Sequence, residues 1–337
     1  MYNRYNMRKI LFILVIFLAA ALVYLSFGEI ETIVETVQQG EMRYIIIGLL
    51  IQCGWFLNLG LTYLSLFRLL GLEGTISRLT LMSIAATFVN IVAPTGGMGG
   101  MAIFISDARR HNQSPGKVTI AGVLSVFLDY IAFLTVLTLG LIVLVRRNDL
   151  HPTEIAASSV MFTIAVALGV LLYLGSRSAE SLGSALAWMA RLVNRIAKPF
   201  IHREYLSEER AHEFAIEMAT DLKSLPERSR SLVKPMSYAF ANKALMMSIL
   251  VASFLSFDVP FTAGTIIGGF SISYLFLIVS PTPSGIGIVE GIMPLALSSL
   301  RVEWSQAVII TLAYRGITFW FPLGVGAIAL RILNREK

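Results

Sequence analysis

The stretch VTIAGVLSVFLDYIAFLTVLTLGLIVLV, residues 118–145, contains a single charge, Asp129. It runs well past the about 20 apolar residues that a helix needs to cross a hydrocarbon core. Comparable runs lie at 10–27, 44–67, 154–175, 235–256 and 304–330. Across all 337 residues the hydrophobic fraction is 56% and the charged fraction 14%, against about 25% charged in soluble domains. Water cannot accept so much apolar surface, because a soluble fold leaves too many residues outside. These features predict an all-α integral membrane protein, a single polytopic domain with about six full spans.

The first run follows Arg4, Arg8 and Lys9 and has no clean cleavage site after it, so it reads as an uncleaved signal anchor. Cys53 is the only cysteine, which excludes an internal disulfide and a thiolate cluster. The net charge of +6 fits basic cytoplasmic loops rather than a nucleic-acid partner.

Two further apolar stretches, 79–110 and 261–300, are interrupted. The first breaks at Pro94-Thr-Gly-Gly-Met-Gly-Gly100 and the second at Pro281-Thr-Pro-Ser-Gly-Ile-Gly287. Proline removes a helix donor and clashes with the preceding turn, and glycine clusters disfavour helix. Each arm is about 10–20 residues, mostly too short to cross alone. Both stretches therefore read as re-entrant helix–break–helix hairpins.

Basic residues set the orientation. With the N-terminus inside and neither hairpin crossing, twenty-one Lys and Arg fall on the cytoplasmic side and four (Arg43, Arg146, Arg147, Arg301) outside. The hairpins then enter from opposite sides, each between two spans. The segments 44–145 and 235–330 become inverted repeats, and broken segments at matching places in two halves point to a transporter-like midplane site. Segment 176–234 alternates acids and bases around apolar stripes and reads as cytoplasmic amphipathic helix. Both termini are expected in the cytoplasm.

Four ionisable residues remain inside apolar stretches: Asp129, Lys243, Glu290 and Arg315. A charge near the bilayer centre costs about 2.5–3.5 kcal/mol on insertion scales, so each needs protein, water or a counter-charge. Two acids and two bases can neutralise one another, as a structural network or as a polar cavity for a charged group. The breaks add backbone groups that lipid cannot satisfy. The arms starting near Met101 and Ile288 offer helix N-termini suited to anions. Pro94, Gly96, Gly97 and Gly99 in the first break, and Pro283, Gly285 and Gly287 in the second, join the charged four as candidate substrate-binding residues. Asn58, Asn90 and Asn242 read as interhelical hydrogen-bonders. His111, His151, His202 and His212 have no metal-ligand spacing. No Ser–His–Asp or Cys–His set lies in the spans, so neither catalysis nor a cofactor is expected.

The run Pro281-Thr-Pro-Ser-Gly-Ile-Gly-Ile-Val-Glu290, then Arg315 and Phe319-Trp-Phe-Pro-Leu-Gly324, resembles the lysylphosphatidylglycerol synthase transmembrane family, the flippase region of aminoacyl-phospholipid proteins. Asn90-Ile-Val-Ala-Pro-Thr-Gly-Gly-Met-Gly-Gly100 and the Asp129 span fit the same pattern, and the likeness covers about residues 10–331. Met101, Ala102, Ile103 and Phe104 stand where the family often has an arginine. The resemblance implies a lipid translocase with inverted halves and a polar cavity in the membrane. No aminoacyl-transferase domain lies within these residues, so synthesis of the lysyl lipid is not expected. The expected partner is a membrane lipid substrate, with a homo-oligomer or a lipid-synthesising enzyme compatible alongside. An intramembrane lipid-modifying transferase and a non-transporting scaffold stand as the alternatives.

Overall fold

The computed structural model describes residues 38–92, 99–147, 152–178, 232–280 and 282–335, with single positions between 32 and 36 and between 180 and 191. The expected span 10–27, most of 176–234, and Pro94, Gly96 and Gly97 lie outside the described residues.

The described chain is helical, with no strand among the described residues. Five helices are long and apolar enough to cross a membrane. They are α1 (Met42–Leu69), α4 (Pro115–Arg147), α5 (Pro152–Arg177), α6 (Val233–Ser256) and the Trp304–Arg335 segment. Their hydroxyl residues satisfy themselves locally. Thr62, Ser253 and Thr311, and Ser83 and Thr87 in the first interrupted stretch, each donate to the carbonyl one turn back, which spares these hydroxyls a partner from another helix.

Both interrupted stretches form helix–break–helix hairpins. The first consists of α2 (Ile76–Val92) and α3 (Met101–Arg110). The second consists of α7 (Ala263–Val279), a 3₁₀ turn at Pro283–Gly285, and α8 (Ile288–Ser299). With 10 residues in α3 and 12 in α8, at about 1.5 Å per residue, neither arm reaches the about 30 Å of a hydrocarbon core.

Contacts at the helix ends show how the hairpins open. Arg78, at the start of α2, pairs with Asp107, near the end of α3, at 2.5 Å. Gln113 donates to the Glu73 carbonyl at 2.9 Å, so the α1–α2 and α3–α4 connections share that end of the bundle. Glu41 N–H donates to Ser256 O at 2.7 Å, placing the start of α1 beside the end of α6 at the opposite end. Phe261 packs against Phe254 there, with the rings tilted and 5.5 Å between centroids, and leads into α7. Leu297 of α8 and Leu300, its C-cap, pack against Gly269 and Gly268 in the first half of α7. The first hairpin thus opens at the Arg78 end and the second at the Glu41 end.

The span expected at 304–330 is present, but it is not a uniform α-helix: it comprises α9 (Trp304–Arg315), a π turn (Gly316–Trp320) and α10 (Phe321–Arg335). Pro322 is the physical cause. It has no N–H, and its ring crowds the carbonyl of Thr318, so the preceding turn widens.

The core falls into separate clusters, and the largest surrounds the second hairpin where it packs on α4, α6 and α9. Phe133, Phe270, Leu250, Val289, Met293 and Ile317 belong to this cluster. A smaller cluster joins the breaks. Phe88, Ile91 and Val92 at the end of α2 pack with Phe319 and Leu323, and Ile286 of the second break packs against them.

Candidate functional site

The four charges singled out in the sequence form two ion pairs. Lys243 Nζ on α6 donates to Asp129 Oδ2 on α4 at 2.8 Å and to the Tyr274 hydroxyl on α7 at 2.7 Å. Tyr274 OH lies 3.4 Å from the same Asp129 oxygen, and Asn242 Nδ2 donates to Oδ1 at 3.2 Å. Trp55 Nε1 on α1 donates to Asn242 Oδ1. The Lys243 ammonium also sits 4.0 Å from the centroid of the Tyr274 ring. This centre ties four helices together, and every donor and acceptor in it meets a partner.

The second pair is built on the break. Gly285 and Gly287 adopt φ of +70° and +77°, which glycine reaches without steric cost. A Cβ on Gly285 would meet Val289 Cγ2 at 2.7 Å, so that position also needs the space. The chain reverses and starts α8 with Gly287 as its N-cap. Glu290, three residues on, reaches back and accepts from Gly287 N–H at 2.8 Å. That is half of a capping box, and it sets the carboxylate at the positive end of the helix. Arg315, the last residue of α9, donates through Nε to Glu290 Oε1 and through Nη2 to the Ser284 carbonyl at 3.3 Å. Its guanidinium lies 4.4 Å from the centroid of the Phe319 ring, which the π turn places beneath it.

In each pair the base is sealed and the acid is partly open. Side-chain exposure is 1% for Lys243 against 22% for Asp129, and 3% for Arg315 against 14% for Glu290. Both pairs flank one apolar core, with Phe133, Tyr274, Val289 and Tyr314 between them.

Of the glycine positions singled out in the first break, Gly99 is described. It precedes α3 and lines a groove with Val89 and Ala102. Asn90 Oδ1 accepts from Gly100 N–H at 2.7 Å and so closes the first hairpin across its break. Pro283 opens the 3₁₀ turn. Asn58 joins α1 to the Tyr238 carbonyl of α6 at 2.9 Å, the interhelical role its type suggests. Tyr274, Trp55 and the Ser284 carbonyl are partners that the sequence did not single out. Trp320 contributes a donor beside the second break: its indole nitrogen is buried without a partner, and the ring packs with Ile286.

A polytopic helical membrane protein with two broken hairpins and two buried ion pairs is the class that this fold and site define. The chain belongs to the lysylphosphatidylglycerol synthase transmembrane-region family, whose model matches residues 10–326. It is also similar to the UPF0104 membrane protein PH1989 of Pyrococcus horikoshii, 25% identical over 338 residues that cover 98% of each chain.

Proposed function

We propose that this protein moves a phospholipid, or a lipid-linked polar headgroup, between the two leaflets and has no synthase activity of its own. The observation that carries the reading is the asymmetry of the ion pairs: sealed bases hold partly open acids within an apolar helical bundle, and one of the pairs is built on the second helix break. A buried pair is weak evidence for stability alone, and a partly open acid is the member of each pair that a polar group can reach. Family membership supports a lipid-related role.

In this mechanism both hairpins re-enter the membrane, one from each side, and the halves 44–145 and 235–330 are inverted repeats. The N-terminus, segment 177–234 and the C-terminus face the cytoplasm, as the distribution of Lys and Arg favours. A headgroup passes between the hairpins while its acyl chains stay in lipid. Glu290 and Asp129 meet its cationic part. When Glu290 turns away from Arg315, the guanidinium and the Gly287 N–H become free to hold a phosphate. The glycine breaks supply the backbone freedom for that exchange.

The test is reconstitution into liposomes carrying a headgroup-labelled phospholipid, with a membrane-impermeant quencher reporting the outer leaflet. Faster loss of the protected signal than in protein-free vesicles supports translocation. A change in lipid mass instead would assign the chain to a lipid-modifying transferase.

A further inference from the structure

Two voids meet at the Arg78–Asp107 pair, away from both buried ion pairs. One is an open polar cleft of about 950 Å³ whose wall includes Glu73, His111 and Lys117. The other is a groove of about 200 Å³ between α2, α3 and α10. The lining of the groove changes steadily with depth. Along α2 it runs Arg78, Met82, Val89, and along α10 it runs Asn334, Leu333, Leu330. Along α3 it runs Arg110, Ser106, Ala102, one turn apart and all exposed, and it ends at Gly99 beside the first break. Three helices thus each present a polar end and an apolar interior to one space. Water has no use for such a gradient. It matches an amphiphile lying parallel to the helices, with its head at the Arg78 end and its chain toward the break.

Charge selects the head. Arg109, Arg110, Arg331 and Arg335 are exposed around this end, and Lys117 lines the adjoining cleft. Arg78 is engaged by Asp107 in a two-nitrogen contact, which leaves that acid little attraction for a cation. The guanidinium of Arg110 has no partner among the described residues. The surplus is positive, and arginine is the residue suited to bidentate phosphate recognition.

We infer that this groove is a binding site for an anionic phospholipid, with the phosphate at Arg110 and one acyl chain along Met82, Ala102 and Leu330. The site stands apart from Glu290 and Arg315, and its occupancy does not depend on whether the protein moves lipid.

Native mass spectrometry of the full chain in detergent, titrated with phosphatidylglycerol or with phosphatidylcholine of equal chain length, tests the site. One phosphatidylglycerol should be retained in preference to phosphatidylcholine. Arg110→Gln should weaken that retention about fivefold, the scale of one base near a membrane surface. Ala102→Trp, which fills the groove from an exposed position, should abolish it. Glu290→Gln should leave it unchanged, so failure here and failure of the translocation reading remain distinguishable. Thermal melts of both groove variants should match the parent, which excludes misfolding as the cause. Equal retention of both lipids, full retention in Ala102→Trp, or displacement by inorganic phosphate alone would overturn the proposal.

Discussion

Replacing Lys243 with Met tests how the buried pair at the centre of the bundle is held. Lys243 is 1% exposed and gives two hydrogen bonds, at 2.8 Å to Asp129 and 2.7 Å to Tyr274. Methionine fills nearly the same volume, so the cavity contribution is small and the electrostatic one dominates. Asp129 keeps Asn242 and Tyr274 as donors but loses its counter-charge. Removing one partner of a buried pair costs about 3–5 kcal/mol. The 22% exposure of Asp129 lets water offset part of this, which puts the expected loss near the lower end, about 3 kcal/mol. Asp129→Asn alone strands the lysine, which is more deeply sealed, and should cost at least as much. The double variant buries no net charge, so it should be more stable than the sum of the two losses by about 2 kcal/mol or more. Reversible denaturation in detergent, followed by tryptophan fluorescence, measures all four corners of the cycle. Additive losses would show that Asp129 and Lys243 do not sustain one another and would refute the ion-pair account of this centre.

Glu303 caps α9, and its pKa is lowered by the Ser305 hydroxyl and then by the Ser305 and Gln306 N–H groups. A depressed carboxylate contributes stability above its unfolded pKa and loses it as pH falls through the folded one. The Tm gap between parent and Glu303→Gln should therefore be present at pH 7 and close in the acid range below the ordinary carboxylate pKa. Gly285→Ala and Gly287→Ala both force a side chain into positive φ, at about 1–2 kcal/mol each. The Gly285 variant should lose more in a thermal melt, since its Cβ also meets Val289 Cγ2 at 2.7 Å while Gly287 has open space. In a Cys53→Ala background, needed because Cys53 is exposed, an impermeant thiol reagent added to intact cells should label a cysteine at Gln38 and not one at Ser207. Labelling at Ser207 would invert the topology.

The spans and breaks were legible in the sequence because lipid imposes a strict rule: long apolar runs must be helical, and Pro–Gly clusters must stop them. The arms beginning near Met101 and Ile288 start where that rule places them. The four charges stood out because each sits inside an apolar run of the sequence. Glu290 and Arg315 could be placed near each other from the break and the span that follows it, but the direct Asp129–Lys243 pair was not legible, since it depends on how α4, α6 and α7 cross, and one sequence holds no register between helices. Tyr274 was missed because a tyrosine in an apolar helix has the same local pattern whether it meets lipid or an ammonium. Asn242 was read apart from Lys243, yet consecutive residues on α6 both turn toward Asp129. The π turn did leave a signal, Pro322, which the apolar run around it outweighed.

In the proposed translocation, Glu290 and Arg315 act together on a headgroup at the second break. The most direct measurement is the initial rate of headgroup-labelled phospholipid translocation in liposomes, comparing the parent with Glu290→Gln and Arg315→Met at matched, folded incorporation. The predicted result is loss of translocation to the protein-free rate in both variants, with thermal melts showing that each remains folded. Variants that are destabilised yet translocate at the parental rate per folded molecule would contradict it and leave the pair as a structural tie.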